Sequence, residues 1–303
     1  MLPPLPRMSE LITLLGLSAK QAFSQNFILD LNVTDRIVRA AKLPPASTIF
    51  EVGPGPGALT RSLLKAGHSV VAVEKDRRFS PILDELSHAT PAFRWHCADA
   101  LQVDPADLIN TASSTAHSPV HVMGNLPFNI GTPLLLKYLH YIGNKESIWR
   151  VGNVTPPTLT FIFQKEVAER IAATCNTKAY GRLSIMSQRH CDVQLLFNIA
   201  NTVYVPAPKV QTTCLQLHPQ SLAPWEKEGK GKGEQVPVQV STQVMEDTLR
   251  QGFSQRRKRL DKIFRTRREY LPSEMGSSRP GELSPEQWER IDAALAESEK
   301  VRK

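Results

Sequence analysis

Only four cysteines occur in 303 residues, Cys97, Cys175, Cys191 and Cys214, and no two of them form a C-x-x-C pair. Such spacing suggests neither a zinc site nor a disulfide framework, so reduced thiols and no bound metal are expected. No apolar run approaches the length that crosses a bilayer, which argues for a soluble protein with no membrane partner. Residues Met1 to Leu17 lack the basic start of a signal peptide and the Arg- and Ser-rich, acid-free composition of a transit peptide. They consist of a proline-rich opening and the amphipathic stretch Ser9 to Leu17. Composition alone therefore assigns no compartment.

What is present is a globular composition, 41% hydrophobic, in a chain long enough for one large domain and a smaller one. The net charge of +8 is concentrated. Between Arg256 and Arg268 stand eight basic side chains, Arg256, Arg257, Lys258, Arg259, Lys262, Arg265, Arg267 and Arg268, against the single acid Asp261. This density fits a polyanion-binding face, the alternative being a solvated basic helix.

The most informative stretch is Glu51-Val52-Gly53-Pro54-Gly55-Pro56-Gly57, after the apolar Ser47 to Phe50 and before the helix-like Arg61 to Lys65. Strand, glycine turn and helix in that order bring the backbone within contact distance of a ligand, because a Cβ there would collide with it. The buried strand Ser69 to Val73 ends at Glu74, 21 residues beyond Gly53. An acid at that spacing is placed to accept both ribose hydroxyls of a nucleoside cofactor. A third strand, Phe93 to Ala98, leads to Asp99, which suits either an adenine amine or a helix cap. The fourth strand, Val120 to Gly124, runs into Asn125-Leu126-Pro127-Phe128 at the edge where a doubly wound sheet places its ligands. Upstream, Gln25-Asn26-Phe27-Ile28-Leu29-Asp30 precedes a helix with Val33, Ile37, Val38 and Ala41 on one side. Its polar opening serves either packing or a ligand.

Downstream, Thr132 to Tyr141 reads as a helix with Leu134, Leu135, Tyr138 and Leu139 as its buried stripe, and Leu159 to Phe163 as a fifth strand feeding the helix from Gln164 to Ala173. Asp192 to Ala200 and Gln211 to Leu217 have strand character, with Tyr204-Val205-Pro206-Ala207-Pro208 between them as a rigid turn that either contacts a base or simply closes a hairpin. The composition from Ala223 to Thr242 is that of a linker. Val244, Leu249, Phe253 and Leu260 line one side of the helical part that follows, and Ser284-Pro285-Glu286-Gln287 opens a last helix.

Together these pieces resemble the class I S-adenosylmethionine methyltransferases, and Asn125-Leu126-Pro127-Phe128 looks like the version used on exocyclic amines of nucleic-acid bases. More narrowly, Gln25-Asn26-Phe27, the glycine turn, Asn125 to Phe128, Gln164 to Arg170 and Val205 to Val210 are similar, in order, to the ribosomal RNA adenine dimethyltransferases. The likeness runs from about Leu2 to Leu217 and returns at Phe253 to Lys258. Leu2 to Pro6 leading into Leu11-Ile12, and Leu159-Thr160 leading into Phe163 to Glu166, resemble the mitochondrial branch. Ile28 stands where leucine is usual, and the segment after Leu271 diverges.

The resemblance implies a Rossmann-like α/β sheet of seven strands, its last hairpin antiparallel, over residues 1–218, a flexible linker over 219–242 and a small helical basic domain over 243–303. It puts the methionine part of S-adenosylmethionine against Asn26, Ile28, Glu51 and Gly53, beside the turn at Gly55. The ribose falls on Glu74, the adenine near Lys75, Asp99 and Ala100, and Asn125 between donor and target. Asn125, Pro127 and Phe128 form the catalytic corner: the Asn125 side-chain oxygen and the carbonyl of Leu126 or Pro127 accept the two amine hydrogens while Phe128 stacks on an extruded base. Arg256, Arg257, Lys258 and Arg259 hold RNA phosphates near the cleft. The implied activity is N6,N6-dimethylation of two adjacent adenines in the 3′-terminal hairpin of small-subunit rRNA, by a monomer acting on the assembling subunit in the mitochondrial matrix. Two other classes compete. A non-catalytic, transcription-assisting nucleic-acid binder could dispense with Asn125 or the glycines, yet both are kept. A nicotinamide oxidoreductase would share the turn and Glu74, but its turn is normally G-x-G-x-x-G and no hydride-transfer acid or base is evident.

Overall fold

The structure, a computed structural model, describes residues 2–14, 26–110, 120–143, 157–220 and 242–301. Gln25 and most of the expected linker lie outside them. The chain clusters into two compact units. The first comprises residues 1–137, 148–168 and 194–217, and the second residues 138–147, 169–193 and 218–303.

In the first unit, helix α1 (Met8–Leu14) and the two-residue strand β1 (Phe27–Ile28) precede helix α2 (Leu31–Ala41). Asp30 caps α2 by accepting from the Asn32 N–H at 2.9 Å. Ile37, Val38 and Ala41 on the expected apolar side of α2 are buried, Val33 packs half-buried against the same core, and Thr34 is buried beside them. Thr34 is tolerated there because its hydroxyl meets that of Ser62 at 2.7 Å.

Strands β2 (Thr48–Val52), β3 (Ser69–Glu74), β4 (Phe93–Cys97), β5 (Val120–Asn125) and β6 (Thr158–Gln164) form a parallel array. Between them come α3 (Ala58–Lys65), α4 (Ser80–Ala89), α5 (Pro105–Asn110) and α6 (Gly131–Gly143). After β6 come α7 (Lys165–Ile171), α8 (Arg182–His190), β7 (Cys191–Ile199), β8 (Tyr204–Val205) and β9 (Thr212–Pro219). The sheet order is β4-β3-β2-β5-β6-β9-β7, with β9 antiparallel to β6. This is the seven-stranded arrangement the sequence suggests. Because the chain starts at β2, works outward through β3 and β4, and returns to β5 on the other flank of β2, a topological switch point lies between β2 and β5. Ile49, Phe50, Val70, Val71, Val122 and Met123 are all at most 3% exposed, as expected of strands covered on both faces.

A second, two-stranded sheet pairs β1 with β8 antiparallel, Phe27 opposite Val205 and Ile28 opposite Tyr204. Sequence reading gave no sign of it. Nearby, the buried Arg61 donates to the carbonyls of Pro56 and Gly57 in the glycine turn and to those of Pro3 and Pro4, at 2.9 to 3.2 Å. One guanidinium thus fastens the proline-rich start to the turn, and burial lowers its pKa.

The second unit contains α8 and the helices α9 (Thr242–Phe253), α10 (Leu260–Ile263) and α11 (Pro285–Val301). Arg189 on α8 is buried against Glu289 at 3.0 Å and Asp292 at 3.9 Å of α11. Burial pushes the Asp292 carboxyl up to about 7, although Arg189 opposes this. The Tyr180 hydroxyl donates to the Leu283 carbonyl at 2.8 Å, and Phe253 stacks on Trp288 at 5.7 Å. Leu249 and Leu260 are buried as expected, but Val244 is exposed and Met245 takes the inward place, one residue later in the helical period. Ser284 and Gln287 form a reciprocal capping box at the start of α11, the Ser284 N–H donating to Gln287 at 2.9 Å and the Gln287 N–H to Ser284 at 3.3 Å.

Candidate functional site

At the carboxyl ends of β2, β3, β4 and β5 the first unit opens into a cavity of about 740 Å³. Asn26, Ile28, Glu51, Gly53, Gly55 and Glu74 line it, and so do Lys75, Asp99, Ala100, Asn125, Pro127 and Phe128. The sequence had singled out each of these.

The turn after β2 owes its shape to glycine. Gly53, Gly55 and Gly57 all have positive φ, at 66°, 52° and 83°. A Cβ on Gly53 would meet nothing within 4 Å, so the space beside that backbone is open. A Cβ on Gly57 would approach Arg61 to 2.6 Å. Across the switch point, a Cβ on Gly124 would come within 2.6 Å of the Val52 carbonyl oxygen, so β5 approaches β2 closely just before Asn125.

Glu74 closes β3 with both oxygens engaged, accepting from the Gly55 N–H at 3.1 Å and the Asp76 N–H at 2.9 Å. Each oxygen retains a lone pair for a hydroxyl. Burial raises its pKa, opposed by those two backbone donors. Glu51 is 1% exposed, accepts from the Thr60 hydroxyl at 2.7 Å, and is pushed up to about 8 by burial, with Glu74 adding to the effect. Two desolvated carboxyls facing one cavity favour a ligand that brings positive charge. Asp99 accepts from Lys75 at 2.8 Å and from the Leu101 N–H at 3.0 Å, and these bonds hold its carboxyl below the usual range. The helix-cap alternative for Asp99 therefore takes the form of a tight turn capped by its own side chain.

The Asn125 amide is oriented by the N-terminal segment: its Nδ2 donates to the Asn26 carbonyl at 3.0 Å. With the nitrogen so engaged, the opposite atom, Oδ1, is left as an acceptor. The Pro127 carbonyl accepts from both the Ile130 and Gly131 N–H groups at 3.1 Å, which seeds α6 and occupies that oxygen. Leu126 is buried, whereas Phe128 is 36% exposed at the cavity wall. Tyr204, which the sequence left between base contact and hairpin closure, also lines the cavity, with its hydroxyl 2.7 Å from that of Thr212.

Arg256, Arg257, Lys258 and Arg259 belong to the second unit and occupy the turn between α9 and α10, so this part of the run is not helical, whereas Lys262 lies on α10 and Arg265, Arg267 and Arg268 in a short 3-10 helix. Its members differ. Arg256 donates to the carbonyls of Lys178 and Thr177 at 2.9 Å each, and Arg259 pairs with Asp261 at 3.1 Å. Arg257 and Lys258 are exposed, as are Lys262 and Arg265. No sequence signal separated the fastened arginines from the rest, because the partners of Arg256 are backbone carbonyls 78 and 79 residues away.

A family model described as ribosomal RNA adenine dimethylase matches residues 16–267. The chain is 42% identical over 223 residues to a ribosomal RNA small subunit methyltransferase A of Phenylobacterium zucineum (strain HLK1), covering 74% of this chain and 72% of that one. It is 37% identical over 306 residues to a mitochondrial dimethyladenosine transferase 1 of Vermamoeba vermiformis, covering 88% and 85%. Among solved structures, a dimethyladenosine transferase from Plasmodium falciparum shares the fold with a TM-score of 0.65 at 21% identity, covering 90% of this chain and 98% of that one.

Proposed function

We propose, from the premise that this chain belongs to the ribosomal RNA adenine dimethylase family, that it dimethylates the N6 amines of two adjacent adenines near the 3′ end of small-subunit rRNA. The donor is S-adenosylmethionine, which supplies an electrophilic methyl group on a sulfonium. The observation that carries the reading is the Asn125 amide, pinned by Asn26 so that its oxygen is the free end.

The cavity suits that donor. Glu51, Asn26, Ile28 and the backbone of Gly53 and Gly55 would hold its cationic amino-acid end, Glu74 its ribose, and Lys75, Asp99 and Ala100 its adenine. An adenine amine is a poor nucleophile while its lone pair is delocalised into the ring. The Asn125 oxygen and one backbone carbonyl accept its two hydrogens and draw the nitrogen toward a tetrahedral geometry. Because Ile130 and Gly131 occupy the Pro127 carbonyl, the second acceptor is assigned to Leu126. Phe128 offers an exposed ring on which an extruded base can stack, and Pro127 fixes the corner. No strong base is required, since the amine becomes acidic only as the new bond forms and water takes the proton. Positioning is the main contribution.

For the RNA, Arg257 and Lys258, with Lys262 and Arg265, are assigned to phosphates, while Arg256 and Arg259 shape the turn that carries them. The substrate is the assembling small subunit, met by a monomer, and the compartment is the mitochondrial matrix, on the strength of relatives such as that of Vermamoeba vermiformis. The deciding experiment incubates small-subunit rRNA with the protein and labelled S-adenosylmethionine and maps the product by mass spectrometry. Two neighbouring dimethyladenosines are expected, and label confined to any other nucleotide would exclude the proposal.

A further inference from the structure

Beneath the turn that follows β4 lies a side chain to which no sequence motif drew attention. Lys137, on α6, directs its Nζ to the carbonyl of Ala100 at 2.8 Å and to that of Val103 at 2.5 Å. Ala100 and Leu101 line the cavity. The same turn is closed from within by Asp99, whose carbonyl accepts from the Gln102 N–H at 2.8 Å and whose side chain accepts from the Leu101 N–H. One short segment is therefore held from two directions, by its own aspartate and by an ammonium from another element.

A lysine head is strongly hydrated, and withdrawing it from water is unfavourable unless its protons find acceptors. Here two of those acceptors are carbonyls of the same short turn. Burial lowers the Lys137 pKa, and the nearby Asp104 and Asp99 act in the opposite sense. The anchor itself is stiff. Helix α6 starts from the N–H groups of Ile130 and Gly131 on the Pro127 carbonyl, and its Leu134, Leu135 and Leu139 are fully buried. Lys137 lies about 9 Å along the helix axis from Gly131.

We propose that Lys137 is a positioning residue for methyl transfer: by clamping the carbonyls of Ala100 and Val103 it sets the turn 99–103 at the height and angle at which the donor's purine is recognised. This rests on the reading that the donor's adenine lies against Asp99 and Ala100.

The test measures donor KM, kcat and purine preference, the last as the ratio of affinities for S-adenosylhomocysteine and its 6-oxo (inosyl) analogue. Lys137→Met keeps the aliphatic stem and removes every donor. It is expected to raise the donor KM about tenfold, as loss of a charge-assisted hydrogen bond would, to leave kcat within about threefold, and to erase most of the purine preference. Lys137→Arg, which keeps charge and donors, should recover most of the KM. A methionine variant that melts earlier but keeps wild-type KM and preference would overturn the proposal and leave Lys137 a merely structural residue. Should that variant fail to fold, Lys137→Leu, which likewise has no donor, carries the same comparison. Asp99→Asn separates the premise from the inference. Turning an amide nitrogen toward the ring should shift preference to the 6-oxo purine. If Asp99→Asn changes nothing, the placement of the adenine is wrong. If it shifts the preference while Lys137→Met does not, only the role of Lys137 is lost.

Discussion

In the proposed mechanism the orientation of the Asn125 amide depends on Asn26. An unconstrained amide can flip and present its NH2 group to an incoming amine, which would repel it, whereas the 3.0 Å bond to the Asn26 carbonyl fixes the orientation. Asn125→Ala is expected to bind the donor within about threefold of the parent by calorimetry while single-turnover transfer falls by about a hundredfold or more. Normal turnover would remove the mechanism. Glu51 makes a second prediction, about pH. Its carboxyl is raised to about 8, so the donor-free folded protein holds a proton there that the unfolded chain releases near 4.5. Stability of the donor-free protein should therefore fall as pH rises through that window. A cationic ligand beside Glu51 favours the ionised form, so binding expels the proton and donor affinity should climb as pH rises from about 6 to about 8. Titration calorimetry in buffers of different ionisation enthalpy reads the released proton directly, and Glu51→Gln should abolish the release. At this scale much was legible. Glycines, a terminal acid and an Asn-Leu-Pro-Phe corner signal themselves because few other residues meet those steric and hydrogen-bonding demands. Lys137 did not, because a lysine on a helix resembles any solvated lysine until its carbonyl partners are known.

The elements divide by how much of their stability is local. Strands β2, β3 and β5 were readable as short apolar runs because burial on both faces leaves no alternation to interpret. The capping box at Ser284 was readable because helix starts are specified within about four residues. Ser284→Ala should cost about 1 kcal/mol, visible as a lower melting temperature. Pairs such as β1 with β8 escape notice, since two residues carry no period and their partner lies far along the chain. The placing of Val244 in the buried stripe, where the structure has Met245, is a phase error of one residue within a correctly identified helix. The basic turn between α9 and α10 carries a prediction of the same scale. Replacing Arg257, Lys258 and Lys262 with glutamine should weaken RNA binding and reduce the salt slope by about two to three, since each phosphate left unneutralised removes roughly 0.7 to 0.9 from it. Arg256→Gln should instead lower stability with little change in slope, because its guanidinium is engaged with the Thr177 and Lys178 carbonyls.

For the whole molecule, the second unit is not simply the end of the chain. It takes in residues 169–193 as well, where the buried Arg189 meets Glu289 and Tyr180 reaches Leu283. A fragment ending at residue 220 would keep Arg189 but remove Glu289 and Asp292. Tyr180, fully buried with its hydroxyl on the Leu283 carbonyl, would lose that partner as well, so this fragment should aggregate or melt well below the intact protein, in a thermal scan of soluble material. A sequence boundary drawn at a change of composition cannot reveal such a dependence, which is set by contacts about a hundred residues apart.

The miniature sheet of β1 and β8 has a temporal consequence. Asn26 adjoins a strand whose partner, Tyr204–Val205, is synthesised almost 180 residues later. A nascent chain that has already emerged through Asn125 would therefore carry the glycine turn and both carboxylates but lack the brace that steadies its amide. Competence should arrive late in biogenesis and late on dilution from denaturant, trailing the recovery of helical circular dichroism.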